Sequence, residues 1–268
     1  MIRLFFADID GCLSEPYRPF DWEGFATLRA WGSRAEHDPR WPRLGLCSGR
    51  SYAYVEATAQ ALGLRAPALF ESGGGRFDLP AARIRWNPAL TPTAERELDA
   101  VRAFYLEHVL PADARVSLDY GKRAQAGIVG PREADVAQHV PAVRAFVEPR
   151  FPDLRVYHTP YSIDVVPAAL TKVQALAWVL GEEGLGWDEA AFIGDTDGDA
   201  EAIAAAGLGF APRNGAPAAH AAADIVTEAP VLAGVLEAYR TCLRRNGVAE
   251  GEMASAKAAR HRDEFWPT

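Results

Sequence analysis

Apolar and polar residues alternate along this chain in blocks that predict an α/β fold. Short apolar runs of strand length, the first at residues 4–9, alternate with longer segments whose apolar residues recur at helical spacing, as at Phe25, Leu28 and Trp31. Strands that alternate with helices in this way predict a doubly wound parallel sheet. Between about residues 76 and 167 helices alternate instead with hairpin-like strands, which predicts an inserted α+β domain.

These changes of pattern divide the chain into three parts. We predict a core of residues 1–75 and 168–245, an inserted domain of residues 76–167 and a C-terminal tail of residues 246–268. Polar and small residues dominate the tail, so we expect it to be loosely held or to make contacts that the pattern does not define.

Composition and charge limit the kinds of partner. The 268 residues are 49% hydrophobic and 24% charged, which is ordinary for a globular protein with a substantial core. The formal charge of −8 argues against a nucleic-acid partner, because nucleic-acid binders present a basic surface. Small anionic substrates stay possible, since they need only a local positive group or a metal ion.

The sequence also predicts a soluble cytoplasmic protein without a membrane partner. No apolar run approaches the roughly 18 residues of a membrane span. Cys12, Cys47 and Cys242 are far apart and give neither a disulfide framework nor a CxxC metal spacing, so a reducing compartment fits best. The oligomeric state is left open.

Two carboxylates, Asp8 and Asp10, follow the first predicted strand one residue apart. Residues i and i+2 of an extended segment point the same way, so the pair should project together beyond the strand. That edge of an open α/β sheet is where ligands bind. Two interpretations stay open for the pair alone: the start of a polar turn, or two anions that a cation or a shared proton must relieve.

Three further predicted strands end in polar or glycine-rich segments. Ser48-Gly49-Arg50 follows the second strand, a run of glycines at residues 73–75 the third, and three aspartates at residues 195–199 a later one. A parallel sheet brings such ends to one edge, where up to five aspartates would need a counter-ion. Oxygen ligands without His or Cys select a hard cation such as Mg²⁺, and Lys172 is a candidate for the remaining positive charge. Taken alone, Ser48 is better explained as the N-cap of the following helix, a role that needs no ligand.

These parts suit the transfer of a phosphoryl group to a carboxylate. An aspartate can act as the nucleophile and form an aspartyl-phosphate, while a metal ion and a lysine neutralise charge on the phosphoryl oxygens. A second carboxylate beside the first can protonate the leaving group and later activate water.

The four motifs and their order resemble those of the haloacid dehalogenase superfamily of phosphatases. The motifs are Asp8-Ile9-Asp10-Gly11, Ser48-Gly49-Arg50, Lys172, and Gly194-Asp195 with Asp199. The insert lies after the third strand and before the lysine, as in the subgroup with a large α/β cap, which includes Cof-type sugar phosphatases, sucrose-phosphate and mannosyl-3-phosphoglycerate phosphatases and an archaeal-type phosphoglycolate phosphatase. The resemblance spans about residues 2–240 and implies a Rossmann-like doubly wound parallel sheet as the core, with the insert as the cap.

The resemblance also implies a role for each matching residue. Asp8 would be the nucleophile, Asp10 the acid and base, and Lys172 would hold Asp8 and the phosphate. The implied phosphate-binding residues are Ser48, Gly49, Arg50 and Asn214, although Arg50 could equally brace its loop. The implied Mg²⁺ ligands are Asp8, Asp10 through its backbone carbonyl, Asp195, and Asp199 directly or through water. Asp197 is expected to be a solvated loop residue.

Three positions depart from the family pattern. Gly198 and Ser72 stand where asparagine is common, and Val173 stands where glycine is common. Gly198 removes a side-chain amide from the metal loop, which could weaken metal affinity or the rate. In the inserted domain, six polar or basic residues could face the substrate, although a solvated surface position is the favoured explanation for each: Arg85, Tyr120, Lys122, Arg123, His158 and Tyr161.

We therefore predict a Mg²⁺-dependent phosphomonoesterase that acts on a small phosphorylated metabolite, either a sugar phosphate or a phosphoglycerate-type ester. A phosphomutase of the phosphomannomutase type shares the motifs and the cap and stays an alternative. A nucleotide-sugar transferase would explain the DxD pair, but neither Lys172 nor the segment after Gly194. A non-catalytic binding module is the remaining alternative.

Overall fold

The structure is a computed structural model and describes residues 1–258. Its strands in chain order are β1 (Leu4–Ala7), β2 (Arg43–Cys47), β3 (Ala68–Phe70), β4 (Gly75–Asp78), β5 (Arg83–Trp86), β6 (Ser117–Leu118), β7 (Ala126–Val129), β8 (Leu154–Thr159), β9 (Ser162–Pro167), β10 (Ala190–Ile193), β11 (Leu208–Ala211) and β12 (Ile225–Val226). Its helices are α1 (Trp22–Gly32), α2 (Tyr52–Leu62), α3 (Pro92–Phe104), α4 (Glu133–Ala137), α5 (Val140–Val147), α6 (Lys172–Glu183), α7 (Ala200–Ala205), α8 (Pro217–Ala222), α9 (Val231–Arg245) and α10 (Glu250–Ala258). Within residues 1–258, none of these helices is both long and apolar enough to cross a bilayer.

The larger sheet has eight strands among the described residues, in the order β12-β11-β10-β1-β2-β3-β4-β5. The strands from β12 to β3 run parallel, and β4 and β5 add an antiparallel hairpin at one edge. This hairpin therefore extends the larger sheet, whereas the predicted boundary after residue 75 places it in the inserted domain. It stays with the core because β4 pairs with β3 and Phe77 packs into the core.

Helices cover both faces of this sheet. Successive residues of β1 point to opposite sides, as the period of two requires. Phe5 and Ala7 belong to an apolar cluster with residues of α1, α2, α9 and α10, and Leu4 and Phe6 to a second cluster with residues of α6, α7 and α8. The predicted fold class, a Rossmann-like doubly wound core with an inserted α+β domain, is confirmed.

The inserted domain has its own sheet and its own core. Its four strands are antiparallel in the order β6-β7-β9-β8, and side chains such as Leu98 of α3 and Val147 of α5 cover one face. The apolar spacing of residues 132–147 predicts one helix, but the structure has two, α4 and α5. Pro141 lies in the first turn of α5, where its missing N–H leaves no hydrogen bond unmade, so the helix restarts there.

The register of the larger sheet brings four strand ends together. Ala7 at the end of β1 lies opposite Leu46 of β2 and Ile193 of β10, and β2 pairs with β3. The segments that follow these four strands therefore meet at the carboxyl edge of the sheet. Three of the four predicted motifs follow one of these strand ends, and the fourth, Lys172, begins α6.

The first part of the predicted tail is held against the core. Asn246 accepts a hydrogen bond from the Ile2 N–H at 2.9 Å, and its amide donates to the carbonyls of Ile2 at 2.7 Å and Arg40 at 2.8 Å. Met253 of α10 is buried, and its carbonyl accepts a hydrogen bond from the Trp31 indole at 3.2 Å. Of the two alternatives for the tail, the structure shows contacts with the core for residues 246–258, and the remaining residues lie outside the described part of the chain.

The Asn246→Ala variant should lower the free energy of unfolding by about 2–3 kcal/mol, because three hydrogen bonds of about 1 kcal/mol each are lost. Urea denaturation followed by circular dichroism would measure this. Gly251→Ala is the matched control, since a Cβ at this helical position meets nothing within 4 Å and should leave stability unchanged or raise it. A loss below about 0.5 kcal/mol for Asn246→Ala would show that this contact does not hold the segment.

Candidate active site

Lys172 joins two buried carboxylates at the centre of the carboxyl edge. It is the first residue of α6, after the N-cap Thr171, and its Nζ lies 2.6 Å from Asp8 Oδ2 and 2.5 Å from Asp199 Oδ1. Burial alone would lower the pKa of Lys172, but Asp199 and Asp8 outweigh it and raise the pKa well above the ordinary value. Lys172 therefore carries a fixed positive charge.

The loop after β10 is shaped by Asp199. Its Oδ2 accepts hydrogen bonds from the Thr196 N–H at 2.9 Å and from the Thr196 hydroxyl at 2.6 Å, with the Asp195 N–H at 3.2 Å. Asp195 then points its side chain toward Asp8, and its buried Oδ1 has no hydrogen-bond partner among the described residues. A buried carboxylate oxygen without a partner is costly unless a ligand satisfies it.

Gly11 leaves the space that Asp195 fills. Its φ is +72°, a left-handed conformation that glycine adopts without strain. A Cβ at this position would lie 1.9 Å from Asp195 Oδ2, so no other residue fits against this carboxylate. Glycine is thus required at this position for two reasons, the close approach of the Asp195 carboxylate and the left-handed backbone conformation.

Three carboxylates form a cluster that fits a divalent cation. Asp8, Asp195 and Asp199 each offer one oxygen, and these oxygens lie within 4.8 Å of one another. With Lys172 as the bridging cation, the cluster carries a net charge of −2 when all three are ionised. Burial, with the charges of Asp8 and Asp199 added, raises the pKa of Asp195 to about 8. Burial likewise raises the pKa of Asp8 to about 6, against the opposing pull of Lys172. An oxygen-only donor set with this excess charge suits a hard divalent ion.

The carboxylate of Asp10 is not part of this cluster. Arg50 binds it through two hydrogen bonds, with Nε 2.5 Å from Oδ2 and Nη2 2.7 Å from Oδ1. The strand ends at Ala7, and the chain turns so that the N–H groups of residues 12–14 approach the Ile9 carbonyl. Asp8 and Asp10 are therefore not presented side by side as an extended pair, although Asp10 is near enough to contribute to the raised pKa of Asp8.

Ser48 is buried at the end of β2 and does not cap α2. Its N–H donates to the Leu69 carbonyl at 3.0 Å, and its carbonyl accepts from the Ser72 N–H at 2.9 Å. The N-cap of α2 is Ser51, whose side chain makes no capping hydrogen bond. The Ser48 hydroxyl accepts only a long contact, 3.4 Å, from the Arg50 N–H, so it keeps donor capacity for a ligand.

Asn214 braces the site from the side of α9. Its amide donates to the Gly11 carbonyl at 2.9 Å, and its Oδ1 accepts from the Val231 N–H at 2.8 Å. Both ends of the side chain are used, so in this structure Asn214 fixes the turn after β1. Asp197 is exposed, in agreement with a solvated position.

Three of the six polar residues considered for the substrate side of the inserted domain have partners elsewhere. Arg85 pairs with Glu182, Arg123 with Glu95, and Lys122 with Asp164. Tyr120 and His158 are exposed. Tyr161 lines a cleft between the loop after β1 and the inserted domain.

That cleft has a volume of about 520 Å³. Its walls are Pro16, Tyr17, Arg18, Arg115, Ser117, Val129, Gly130, Pro131 and Tyr161. Arg115 is paired with Asp113 and Asp135, whereas Arg18 is exposed and makes no ion pair with another described residue. The cleft therefore contains one uncommitted positive charge.

Two residues near the site had no place in the sequence prediction. The Tyr17 ring lies 5.3 Å from the Arg50 guanidinium and 5.2 Å from the Tyr161 ring of the inserted domain. Glu71 is fully buried at the end of β3. Only Glu71 had a recognisable signal, an acidic residue directly after an apolar strand at the ligand-binding edge.

The chain is similar to known proteins along most of its length. The sequence profile of the haloacid dehalogenase-like hydrolase family matches residues 135–238. Phosphoglycolate phosphatase of Natronomonas pharaonis is 28% identical over 242 residues, which cover 89% of this chain and 96% of that protein. The same-named protein of Methanothermobacter thermautotrophicus is 26% identical over 239 residues, covering 89% of this chain and 98% of the relative.

Solved structures share the whole architecture. Protein 0175 of Thermoplasma acidophilum has a TM-score of 0.70 at 20% identity, covering 90% of this chain and 98% of that one. A haloacid dehalogenase-like hydrolase of Bacteroides thetaiotaomicron has a TM-score of 0.65 at 18% identity, covering 91% and 99%. The family profile, the relatives and the shared fold together support a phosphatase of the haloacid dehalogenase superfamily.

Proposed function

We propose that this protein is a Mg²⁺-dependent phosphomonoesterase that hydrolyses a small phosphorylated carboxylic acid through a phosphorylated Asp8. The observation that carries the proposal is the uncompensated charge of the buried cluster, where three carboxylates share Lys172. A divalent cation and the phosphoryl group of a substrate together complete such a site.

Asp8 is the nucleophile in this proposal. Its Oδ1 accepts the Ile9 N–H at 2.6 Å and its Oδ2 accepts Lys172, so the carboxylate is held in one orientation. One carboxylate oxygen forms a bond to phosphorus, and the bond from phosphorus to the ester oxygen breaks. The Ser48 hydroxyl and the turn at Gly49 would bind phosphoryl oxygens, because they lie at the neighbouring strand end.

Asp10 handles the proton in both steps. It gives a proton to the departing alkoxide, then takes one from the water that attacks the phosphorylated Asp8 and releases inorganic phosphate. Asp10 must first separate from Arg50, and the incoming phosphoryl group offers Arg50 an alternative anion. This exchange would make Arg50 a phosphate-binding residue during turnover.

Mg²⁺ would be held by Asp8, Asp195, Asp199 and the backbone carbonyl of Asp10, and it would neutralise charge on the phosphoryl oxygens. The unpartnered Oδ1 of Asp195 supports this ligand set. Gly198 is exposed, and a Cβ there would meet only Thr196 Oγ1 at 3.6 Å. The space at this position would therefore accept a side chain, and steric crowding does not explain why it is glycine.

The leaving group points toward the cleft between the core and the inserted domain. Because Asp10 protonates the leaving oxygen, the rest of that group must lie on the side of Asp10, where Arg50 contacts Tyr17 and Tyr17 lines the cleft. The free guanidinium of Arg18 suits a carboxylate there. A phosphoglycerate-type ester, whose leaving group carries a carboxylate, fits these conditions better than a sugar phosphate, whose leaving group is uncharged. Phosphoglycolate, the substrate in the names of the relatives, also carries a carboxylate.

Replacing the nucleophile should abolish turnover without unfolding the protein. Asp8→Asn should lower the rate of p-nitrophenyl phosphate hydrolysis by about 10⁴-fold or more, since the covalent route is lost. Asp197→Asn, in an exposed position of the same edge, is the control and should keep the wild-type rate. Activity in Asp8→Asn would show that Asp8 is not the nucleophile.

A phosphate-release assay distinguishes a phosphatase from a phosphomutase. The wild-type enzyme should release inorganic phosphate from phosphoglycolate or 3-phosphoglycerate in Mg²⁺ buffer without an added bisphosphate. Phosphate release only when an activating bisphosphate is present would favour the phosphomutase alternative.

Metal binding should stabilise the folded state through Asp195. At about 100 times its dissociation constant, Mg²⁺ should stabilise the protein by about 2.7 kcal/mol, which corresponds to a rise in Tm of roughly 5–10 °C. Asp195→Asn should lose most of this rise, whereas Asp197→Asn should keep it. Equal shifts in the wild type and in Asp195→Asn, measured by differential scanning fluorimetry, would exclude Asp195 as a ligand.

Arg18 should determine the preference for a carboxylate. Arg18→Ala should raise KM for 3-phosphoglycerate about tenfold, the equivalent of about 1.4 kcal/mol, and leave KM for p-nitrophenyl phosphate unchanged. Arg3→Ala, at an exposed position far from the cleft, is the matched control. Equal changes for both substrates would contradict a carboxylate contact.

A further inference from the structure

Glu71 is a buried carboxylate outside the proposed chemistry, placed where the inserted domain meets the core. Its Oε2 accepts hydrogen bonds from the N–H groups of Arg123 at 2.9 Å and Ala124 at 2.5 Å, both in the segment that leads to β7. Its Oε1 is also buried and has no partner among the described residues. One side chain of the core thus satisfies two consecutive backbone donors of the inserted domain.

The backbone at Glu71 and Ser72 holds the phosphate-binding turn at the same time. The Glu71 N–H donates to the Arg50 carbonyl at 2.9 Å, and the Ser72 N–H donates to the Ser48 carbonyl at 2.9 Å. Both residues have left-handed backbones, with φ of +51° and +54°, which costs energy for residues other than glycine. Strain of this kind persists only where the surroundings require that conformation.

Further contacts tighten the same junction. The Ser72 hydroxyl accepts a hydrogen bond from the Gln125 amide at 3.0 Å. A Cβ on Gly74 would lie 2.4 Å from the Ala124 Cβ, and one on Gly121 would lie 3.1 Å from the Ser51 Cβ. The core and the inserted domain are therefore in close contact at this junction. Residues 71 and 72 therefore connect the turn at residues 48–50 to residues 121–125 of the inserted domain.

We propose that Glu71 is a positioning residue that holds residues 123 and 124 of the inserted domain against the phosphate-binding turn. Its effect on turnover rests on the proposed function, but the contact itself does not. When the inserted domain lies in this position, Glu71 is shielded from water. When the domain lifts away, the carboxylate returns to water.

The charges around Glu71 give this contact a pH dependence. Lys122 and Arg102 are the cations that lower the pKa of Glu71, but the Lys122 ammonium pairs with Asp164 and Asp119, and Arg102 donates to the carbonyls of residues 122, 123 and 125. Burial therefore dominates and raises the pKa of Glu71 to about 7, although the Ala124 N–H and Lys122 oppose it. In the closed arrangement the inserted domain covers Glu71, and in the open arrangement Glu71 is in water. Because the pKa of Glu71 is higher in the closed arrangement, closing takes up a proton. The closed arrangement is therefore favoured at low pH, and this preference is lost as pH rises through about 7.

The linkage predicts the size of the effect. For a pKa of about 7 in the closed arrangement and an ordinary value in the open one, the closing equilibrium constant should fall about tenfold between pH 6 and pH 8. Glu71→Gln keeps an oxygen for the two N–H groups, places an amide at the unpartnered Oε1 and cannot ionise. This variant should keep the inserted domain in place at both pH values.

Hydrogen exchange of the amides of residues 123 and 124 in the full-length protein tests the proposal without a substrate. After correction for intrinsic rates, wild-type protection should fall about tenfold from pH 6 to pH 8, and Glu71→Gln should show no fall. Glu133→Gln, an exposed position in α4, is the control and should follow the wild type. A fall in Glu71→Gln equal to that of the wild type would overturn the proposal.

KM measurements distinguish a positioning role of Glu71 from a role in folding alone. Glu71→Ala should raise KM for p-nitrophenyl phosphate about tenfold, and Glu71→Gln should restore the wild-type KM at pH 6 and exceed wild-type affinity at pH 8. An unchanged KM in a folded Glu71→Ala protein would also overturn the proposal. If no variant and no wild-type sample releases phosphate while exchange follows the predicted pattern, the proposed function fails and the positioning contact stands.

Discussion

Electrostatic repulsion among three closely spaced carboxylates, two of them buried and one partly buried, is the constraint on which the rest of this edge depends. Asp8, Asp195 and Asp199 share one ammonium group, that of Lys172. Such a cluster persists because backbone N–H groups hold its members, the Ile9 N–H on Asp8 and the Thr196 N–H on Asp199. These donors belong to loops that the parallel register fixes. The free energy of folding of the sheet therefore offsets the electrostatic repulsion within the cluster.

Sequence alone predicts the parts of this arrangement that depend on local chemistry. The bounds of β2, α2 and β10 follow from apolar runs with clear ends, and the structure agrees. The meeting of four strand ends follows from parallel winding. Gly11 and Asp195 follow apolar strand runs and Lys172 opens a helix, so their places at this edge could be predicted from the local pattern.

Contacts between loops that are distant in the chain could not be predicted. Nothing local indicates that Arg50 would bind Asp10, because that pair depends on how two turns face each other. The sequence places Glu71 directly after a strand, but its left-handed backbone is not marked by a glycine, so nothing in the sequence indicates its contact with the inserted domain. The hairpin of β4 and β5 has ordinary strand periodicity, and only competition between sheet edges decides which sheet it joins.

Arg50 is the residue at which these separate contacts converge. Its pairing with Asp10 keeps a fourth carboxylate from adding uncompensated charge beside the cluster, so the net charge of the fully ionised groups is −2 and not −3. Its guanidinium is held against the Tyr17 ring, which contacts Tyr161 of the inserted domain. Its carbonyl is held by Glu71, which accepts the N–H groups of the same domain. The inserted domain is therefore linked to both ends of Arg50, and under the proposed function a change that frees Arg50 would also free Asp10 to carry a proton.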